Sequence, residues 1–422
     1  MTSFRFVHAA DLHLDTPFQG VARPAPAVAE ALRDASLAAW DELVELTLRE
    51  QAAFLLLAGD IYDGAERGMR AQFRFLHGLE RLAEARVPVF IVHGNHDPLG
   101  EGWSGIERWP ETVKVFGSDQ VTAASAERDG TTLATVHGIS YAQRAVSDNL
   151  AARFPSPDDH GLQVALLHCN AGGNAEHEAY SPCSVAQLLD AGYQYWALGH
   201  IHRRQSLGSG KVAIEYPGDL QGRSAKASEL GEKGALVVEA SGHRLQPVRF
   251  ATCDRVRFAV VEADIATLGD MTHVRDALLD DLARLQTQHG GCGLLLRGRL
   301  SGRGGLHTDL RRPDALPALL DELRAACNSE APFVWWDALS DQTRSPIDRE
   351  AIARRGDLSA ELLHLGAALA TDQEARRGFL EAALAEGPGR QLPEESRAPD
   401  DAEAVALLAE AEDLALDGLE GD

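Results

Sequence analysis

Five short polar motifs in this chain of 422 residues each follow an apolar segment. The motifs are Asp11-Leu-His13, Gly59-Asp60-Ile-Tyr-Asp63, Gly94-Asn95-His96-Asp97, Leu167-His168 and Gly199-His200-Ile-His202. The apolar segments, each typical of a buried strand, are 4–10, 53–58, 87–92, 164–167 and 195–198. Helical patterns lie between them, at 31–50, 69–84 and 184–191. This alternation predicts an α/β fold with a largely parallel or mixed sheet.

The five motifs are predicted to meet at one edge of that sheet, because ligand sites in open α/β sheets gather beyond the carboxyl ends of the strands. A single Asp or His after a strand is usually a turn residue or a polar group at the rim. Together, however, the motifs supply carboxylate, amide and imidazole donors, which can hold two divalent cations for attack on a phosphorus ester. Three of these donors follow Gly59, Gly94 and Gly199, which allow close backbone approach. The sequence therefore predicts a metal-dependent hydrolase.

The motif series resembles that of the calcineurin-like metallophosphoesterases, D-x-H, GD-x-x-D, GNH-[DE], a lone His and GH-x-H, and all five match in order. Segments 6–18 and 198–222 resemble the DNA-repair exonuclease branch, the SbcD and YhaO-like proteins. The resemblance covers roughly the first 250 residues well and the remainder in outline. It implies a four-layer α/β/β/α sandwich with a small α+β capping domain and a helical C-terminal extension.

The resemblance also assigns roles to individual residues. One metal would be held by Asp11, His13, Asp60 and His202, and the other by Asp60, Asn95, His168 and His200. Asp60 would bridge, since a carboxylate with one oxygen for each cation offsets the repulsion between two dications about 3.5–4 Å apart. His96 would contact the phosphate and protonate the leaving oxygen, with Asp63 orienting it, as in the related protein phosphatases. Donors without thiolate suit Mn²⁺, Fe or Zn²⁺, and the resemblance suggests two Mn²⁺ ions.

The net charge of −24 argues against a nucleic-acid substrate, but the charge is unevenly distributed. Residues 201–250 carry eight basic and five acidic residues, whereas residues 401–422 carry eight acidic and no basic ones. The segment that follows the last motif is therefore locally basic. Arg203 and Arg204 are expected either to contact a phosphate backbone or to lie on an ordinary solvated hairpin, and the sequence leaves both open.

Cysteine usage and hydropathy indicate the compartment. The cysteines are Cys169, Cys183, Cys253, Cys292 and Cys327, an odd number without C-x-x-C spacing, which favours reduced, buried thiols. Cys169 is expected to pack as a small apolar residue and not to act as a nucleophile. No apolar run of about 18 residues suggests a membrane span, and the N-terminus leads directly into a strand. A cytoplasmic protein is expected.

Changes of pattern predict three regions: a catalytic domain at 1–252, a capping domain at 253–342 and a helical region at 343–422. The second region has strands at 256–261, 293–300 and 333–339 and helices at 271–289 and 313–326. It either restricts the DNA that enters the site, as in the nuclease branch, or merely packs on the core. The third region has helices at 348–355, 358–370 and 372–385, a breaker-rich linker at 387–393 and a last helix at 400–416.

Partners follow from the same resemblance. DNA is the expected substrate, a homodimer is expected, and the C-terminal helices are expected to dock on the coiled coil of an SMC-like ATPase. The alternative is that the last helix folds back on its own chain or frays. Its apolar residues are Val405, Leu407, Leu408, Ala411, Leu414 and Leu416.

Two rival functions remain at this stage. One is a phosphomonoesterase or cyclic-nucleotide phosphodiesterase, which is disfavoured because Gly64 stands where protein phosphatases carry Arg. The other is a non-catalytic scaffold that recruits an ATPase, which the intact motifs disfavour. Four further histidines lie near the motifs. His8, His93 and His137 are expected to pack in the core or at its rim, and His177 either is an ordinary loop residue or reaches the substrate.

Overall fold

The structure is a computed structural model that describes residues 3–21, 24–64, 68–100, 108–158, 161–173, 178, 180–208, 210–328, 330, 332–385 and 400–420. The strands described are β1 (Ser3–Ala9), β2 (Leu55–Ala58), β3 (Val89–Val92), β4 (Val113–Val115), β5 (Thr122–Arg128), β6 (Thr131–Gly138), β7 (Leu162–His168), β8 (Tyr195–Gly199), β9 (Gln205–Ser206), β10 (Ala213–Tyr216), β11 (Gly234–Ser241), β12 (Arg244–Leu245), β13 (Arg249–Thr252), β14 (Val256–Asp264), β15 (Gly293–Ser301) and β16 (Val334–Asp341). The α-helices described are α1 (Pro26–Arg49), α2 (Met69–Glu84), α3 (Val185–Asp190), α4 (Met271–Gln288), α5 (Leu306–Leu310), α6 (Ala315–Ala325), α7 (Arg349–Ala353), α8 (Leu358–Thr371), α9 (Gln373–Ala385) and α10 (Asp401–Glu420). His177 and the linker 387–393, both singled out from the sequence, lie outside the described residues.

The first large sheet has the strand order β12-β11-β1-β2-β3-β4, with β13 also paired to β11. Strands β1 to β4 run parallel to their neighbours, and β11 pairs antiparallel with β1. Leu55 in β2 lies opposite Val7 on one side and Val89 on the other. A strand with neighbours on both edges and covered faces must be apolar throughout, which is why these segments read as continuous apolar runs.

The second sheet has the order β5-β6-β7-β8-β10-β9. Its central strands β6, β7, β8 and β10 are parallel, while the edge strands β5 and β9 pair antiparallel. Strands β5 and β6 were not predicted from the sequence. In β5 only Ala126 is buried, so the strand lacks the apolar run that would have indicated it.

The two sheets pack face to face over an aromatic core. The Phe6 and Phe54 rings stack with centroids 4.8 Å apart, and Tyr195 from the second sheet meets Phe6 edge-on at 5.1 Å. Helices α1 and α2 cover the outer face of the first sheet, and α3 packs against the outer face of the second. These layers confirm the predicted α/β/β/α sandwich, and two such apolar interfaces per sheet explain its large core.

Helix starts follow local capping chemistry. Helix α1 begins at Pro26, earlier than the predicted 31, because a proline in the first turn has the helical φ and lacks only an N–H that would be unpaired there. Ser184 caps α3 by accepting a hydrogen bond from the Gln187 N–H at 3.2 Å. That cap explains why the predicted start of this helix was nearly correct.

The chain divides into two compact units. The first comprises Met1–Val261, Asp280–Gly298 and Leu320–Leu339, and the second comprises Glu262–Leu279, Arg299–Leu319 and Ser340–Asp422. Strands β14, β15 and β16 form a three-stranded sheet in that order, and α4 and α6 occur close to where helices were predicted. The short helix α5 was not predicted. The boundaries proposed from the sequence at 252 and 342 stay predictions.

Within the second unit, helix α10 folds back on α7 and α8. Leu416 is fully buried with Ile352 and Leu363, and Asp417 forms ion pairs of 2.6 Å with Arg303 and 2.9 Å with Arg344. One face of α10 therefore packs on its own chain, as the second of the two alternatives for this helix expects. Opposite Leu416, two apolar side chains stay exposed over about half of their surface, Leu407 (48%) and Leu414 (54%). Val405 and Leu419 are exposed as well, at 39% and 45%.

None of the helices in the described ranges combines the length and the apolar character needed to cross a membrane.

Candidate metal centre

The structure brings the seven predicted metal ligands together at the carboxyl ends of five strands. Two groups of them have ligand atoms within 4.8 Å of one another, and Asp11 belongs to both. The first group is completed by His13 and His202, and the second by Asp60 and His168. Six of the seven side chains are buried, and His202 is partly exposed. The first sheet supplies the carboxylates, and the second supplies three of the histidines.

The loops after β1 and β2 are held together by backbone hydrogen bonds. The Asp11 N–H donates to the Gly59 carbonyl at 3.1 Å, and the His13 N–H donates to the Asp60 carbonyl at 3.0 Å. Asp11, His13, Asp60 and His200 all have positive φ, at 51°, 42°, 50° and 102°. Such backbone strain in residues with a side chain concentrates at functional sites, where the surrounding contacts enforce it.

Asp97, the last residue of the third motif, holds the loops in place. Its Oδ1 accepts the Gly94 N–H at 2.9 Å, and its Oδ2 accepts the Ile61 N–H at 2.9 Å. His93 Nδ1 lies 3.0 Å from the same Oδ2. Asp97 is fully buried, so these contacts satisfy a carboxylate that would otherwise be costly to bury. The sequence placed Asp97 in the motif without assigning it this role.

Gly59 and Gly94 have no side chain at points where the ligand side chains come together. A Cβ on Gly59, whose φ is +93°, would lie 2.5 Å from His168 Nδ1. A Cβ on Gly94 would collide with Asp60 Oδ1 and lie 2.7 Å from His168 Nε2. These distances are below the contact limit of a real Cβ, so the close approach expected from the sequence is present at both positions.

In the first ligand group two imidazole nitrogens face each other. His13 Nε2 lies 3.3 Å from His202 Nε2, and Asp60 Oδ2 lies 4.0 Å from the same His13 atom. Two ring nitrogens at this distance need either a shared proton or a cation between them. Two imidazole nitrogens beside a carboxylate oxygen are suitable ligands for a divalent transition metal.

In the second group three donors converge on one point. Asn95 Oδ1 lies 2.9 Å from His168 Nε2 and 3.1 Å from His200 Nδ1. Asp60 Oδ2 lies 3.3 Å from His168 Nε2. Ligands about 2.1 Å from a metal in octahedral geometry are about 3 Å from each other, so these separations are those of a coordination shell. Asp60 Oδ2 approaches histidines of both groups, as a bridging carboxylate must.

The outer nitrogens of three ligand histidines are bonded to acceptors, which fixes their tautomers. His168 Nδ1–H donates to the Ala58 carbonyl at 2.8 Å, and His200 Nε2–H donates to the Glu178 carbonyl at 2.9 Å. His202 Nδ1–H faces Glu229 Oε1 at 3.4 Å. The remaining nitrogen of each ring is thereby directed at the cluster, where it can offer its lone pair to a cation, the arrangement typical of metal-binding histidines. The residues therefore fit a pair of divalent cations.

The electrostatics of the cluster are dominated by Asp60 and His168. Burial raises the pKa of Asp60, but His168, His13 and His96 together bring it well below its ordinary range. Burial lowers the pKa of His168, but Asp60 and Asp11 raise it to about 9. Burial raises the pKa of Asp11 to about 6. A bound cation would replace the proton of His168, because only a deprotonated ring nitrogen can be a ligand.

His96 lies beside the cluster with its ring bonded to Asp63. His96 Nδ1–H donates to Asp63 Oδ1 at 2.6 Å, and the His96 side chain is 42% exposed. Burial lowers the pKa of His96, but the hydrogen bond to Asp63 and the charge of Asp60 bring it above the ordinary value. The His96 hydrogen bond also lowers the pKa of Asp63. A raised pKa favours the protonated ring, and an imidazole with Nε2 directed away from its carboxylate is suited to donate a proton.

Sequence reasoning missed two residues of the site. Arg223 was noted only as part of the basic segment, yet it is buried and its Nη1 donates to Asp63 Oδ2 at 3.2 Å. Glu229 is buried as well and was not singled out. Arg203 and Arg204 are exposed, and the Arg204 guanidinium lies 4.1 Å from the centre of the Phe250 ring.

The remaining histidines and cysteines are accounted for by packing. His8 Nδ1 lies 3.0 Å from the Tyr195 hydroxyl, and His137 Nε2 lies 3.3 Å from Gln163 Oε1. All five cysteines are free, and the Cys169 and Cys183 sulfurs are 3.9 Å apart. Two cysteines differ from the expected burial because they are partly exposed: Cys292 and Cys327.

The sequence of this chain is similar to those of known proteins. Residues 4–204 match the family described as calcineurin-like phosphoesterase, and residues 258–344 match the middle domain of metallophosphoesterase YhaO. The chain is 32% identical over 345 residues to an uncharacterized metallophosphoesterase YhaO of Bacillus subtilis, covering 82% of this chain and 83% of that protein. It is 24% identical to the SbcD component of nuclease SbcCD from the same organism, covering 56% of this chain and 66% of that protein. It is also 24% identical to the DNA double-strand break repair protein Mre11 of Sulfurisphaera tokodaii, covering 48% and 53%.

A cluster of histidines and carboxylates at the strand ends of an α/β/β/α sandwich, together with these matches, defines a metal-dependent phosphoesterase. The chain belongs to the calcineurin-like metallophosphoesterases, and among them it is similar to the YhaO protein over most of its length.

Proposed function

We propose that this protein is a dinuclear-metal-dependent phosphodiesterase that cleaves DNA, the nuclease component of a cytoplasmic DNA-repair complex. The approach of Asp60 Oδ2 to a histidine of each ligand group, with the Asp63-bonded His96 beside them, carries the proposal. Relatives named as nuclease and double-strand break repair proteins support DNA as the substrate class. The match of residues 258–344 to a YhaO middle domain supports an additional segment of the kind expected to restrict access.

In this proposal Asp11, His13, Asp60 and His202 hold one cation, and Asp60, Asn95, His168 and His200 hold the other. The distances of 2.9–3.3 Å between donor atoms support both sets. Oxygen and imidazole donors without thiolate suit Mn²⁺, which is the metal we propose, with Fe and Zn²⁺ as the alternatives. Two such cations lower the pKa of a water molecule and stabilise the charge that develops on the phosphate.

The side chains supply the remaining chemistry. Two bound dications would carry four positive charges against the two negative charges of Asp11 and Asp60. The site would keep an excess of two positive charges and attract a phosphodiester. His96 Nε2 would protonate the oxygen that leaves, and Asp63 would hold the ring so that Nε2 faces that oxygen. General-acid assistance of this kind contributes roughly 10²–10⁴-fold to the rate.

The C-terminal helices are proposed to bind the coiled coil of an SMC-like ATPase. Leu407 and Leu414 of α10 are exposed, and so are Leu358 and Leu365 of α8. Exposed apolar side chains seven residues apart on a helix support a helical partner, because contiguous apolar patches are usually covered. Substitution of Leu407 and Leu414 by Glu is expected to abolish co-purification with the ATPase and to leave the buried Leu416 face intact. A homodimer belongs to the same proposal and is tested by light scattering.

The nuclease proposal is tested with end-labelled single- and double-stranded DNA in Mn²⁺, resolving the product ladder. Wild-type protein is expected to degrade DNA, while Asp60→Asn and His96→Ala are expected to be inactive or strongly impaired and still folded. Chromogenic monoesters and cyclic nucleotides serve as competing substrates. A far higher rate on a small ester than on DNA would replace the nuclease with a small-ester phosphoesterase, and no turnover on any ester, with or without the ATPase, would favour a scaffold.

A further inference from the structure

Four contacts connect His202 to His96 through Glu229, Arg223 and Asp63, and the first two of these have no role in the proposed function. Glu229 Oε1 lies 3.4 Å from His202 Nδ1, and Glu229 Oε2 accepts the backbone N–H of Arg223 at 2.8 Å. The Arg223 Nη1 donates to Asp63 Oδ2 at 3.2 Å, and His96 Nδ1–H donates to Asp63 Oδ1 at 2.6 Å. One continuous path of contacts therefore spans the cluster from a ligand to the proton donor.

Stability alone does not account for the position of Arg223. Its side chain is 9% exposed, and within the described residues its Nε has no hydrogen-bond partner. Its positive charge also lies close enough to His13 to disfavour protonation of that ring. The desolvation cost of burying a guanidinium can exceed the gain from its ion pair with Asp63 and from the nearby charge of Glu229. Residues kept at such a cost are candidates for a functional role.

Glu229 uses its two carboxylate oxygens on two different elements of the site. One oxygen faces the His202 ring, and the other holds the backbone of Arg223. A carboxylate that receives the outer N–H of a ligand histidine fixes the orientation of the ring and increases its basicity. The same carboxylate here also fixes the loop that carries the guanidinium.

We propose that Glu229 and Arg223 are linked positioning residues, Glu229 orienting His202 for the metal and Arg223 orienting His96 through Asp63. The role of Arg223 rests on the proposed function, because it requires His96 to protonate a leaving group. The role of Glu229 requires only metal binding.

Calorimetric titration with Mn²⁺ tests Glu229 without any catalytic readout. Glu229→Ala is expected to weaken Mn²⁺ binding by roughly 10–100-fold, the usual effect of losing such a partner. Glu229→Gln is expected to lie between, since one carbonyl oxygen can replace only one of two acceptors. Glu127→Ala, at an exposed position of β5, is the control. Wild-type affinity in folded Glu229→Gln and Glu229→Ala would overturn the role.

Leaving-group dependence tests Arg223. Arg223→Gln is expected to lower turnover on DNA by roughly 10–100-fold, because an alkoxide needs a proton from His96. Turnover of bis(p-nitrophenyl) phosphate is expected to stay near wild type, because nitrophenolate leaves unprotonated, and Mn²⁺ affinity is expected to be unchanged. Arg223→Lys should restore part of the DNA activity, and Arg244→Gln, exposed on β12, is the control. An equal loss on both substrates would overturn the role.

A double-mutant cycle isolates the pathway. If Arg223 acts through Asp63, the double variant Arg223→Gln with Asp63→Asn should be no slower than Asp63→Asn alone, whereas additive losses would contradict it. A wild-type protein that cleaves aryl and alkyl diesters but not DNA would refute the nuclease proposal, and the comparison of those two esters would still decide on Arg223. Inactivity of the wild-type protein on every diester would refute both the proposed function and the positioning role of Arg223. The role of Glu229 would still be tested by the Mn²⁺ titration.

Discussion

The Asp97 carboxylate and the His93 ring lie 3.0 Å apart, between Asp97 Oδ2 and His93 Nδ1, at the base of the metal-binding loops. The same carboxylate accepts the N–H groups of Ile61 and Gly94, which belong to two different motifs. The third motif therefore supplies its own anchor, and the loops that carry Asp60 and Asn95 are held by a carboxylate bonded to Ile61, Gly94 and His93.

Asp97→Ala should destabilise the protein, because it leaves two buried N–H groups without an acceptor at about 1–3 kcal/mol each. Asp97→Asn should lose less, since its carbonyl oxygen still accepts one of them. Urea unfolding followed by circular dichroism measures both. Asp119→Ala, at an exposed position, is expected to change the free energy of unfolding by less than about 0.5 kcal/mol. An unchanged Asp97→Ala midpoint would contradict the anchoring role.

His8 should make the protein sensitive to mild acid. Burial lowers the pKa of His8 from 6.5 to about 3, so the folded state keeps the ring neutral while the unfolded chain takes up a proton below pH 6.5. The resulting loss grows as pH falls from 6.5 to 3, and it reaches about 2 kcal/mol near pH 5 at about 1.4 kcal/mol per unit. Urea unfolding should show a smaller decrease between pH 7 and pH 5 for His8→Gln than for wild type. Equal decreases would contradict the assignment.

Gly94→Ala should weaken metal binding. The added Cβ would meet Asp60 Oδ1 and come within 2.7 Å of His168 Nε2, so both ligands must move. Calorimetric titration with Mn²⁺ should show an affinity at least about tenfold lower, comparable to losing a supporting contact. Gly117→Ala is the matched control, because no heavy atom lies within 4 Å of its added Cβ. A Gly94→Ala protein with wild-type affinity would be incompatible with this geometry.

Leu416→Ala should loosen helix α10. The Leu416 side chain is fully buried, and truncating a buried Leu typically costs about 2–5 kcal/mol. Hydrogen exchange should become faster across 401–420, while Leu414→Ala, where the side chain is 54% exposed, should leave it near wild type. If binding of an SMC-like ATPase uses the exposed face, Leu414→Ala should weaken that binding instead. Equal protection in the two variants would argue against the observed packing.

The sequence predicts that the five motifs meet, because each one follows a parallel strand and such strands end at the same edge of a sheet. Asp11, Asp60 and His168 therefore meet although they are far apart in the chain. Arg223 and Glu229 could not be recognised in the same way. They lie in the segment between β10 and β11, which has no periodic apolar pattern, Glu229 at the end of a short 3-10 turn. Only their contacts with the distant residues Asp63 and His202 identify them as part of the site.

Other differences have equally local causes. Strand β5 is exposed at a sheet edge, so its polar and alanine-rich residues carry no apolar run. Helix α10 has one buried and one exposed apolar face, and a helical pattern alone cannot tell which neighbour covers each face. The fold-back of α10 is decided by Leu416 and by ion pairs of Asp417, both of which depend on tertiary contacts.

The proposed ligands come from both sheets, so metal binding would stabilise the contact between the two sheets. Asp11, Asp60 and Asn95 come from one sheet, and His168, His200 and His202 come from the other. Coordinate bonds to a shared pair of ions would cross the interface between the sheets, in addition to the aromatic contacts of Phe6 and Tyr195. Removal of the ions would then loosen the interface between the two sheets first at the end that carries the five motifs.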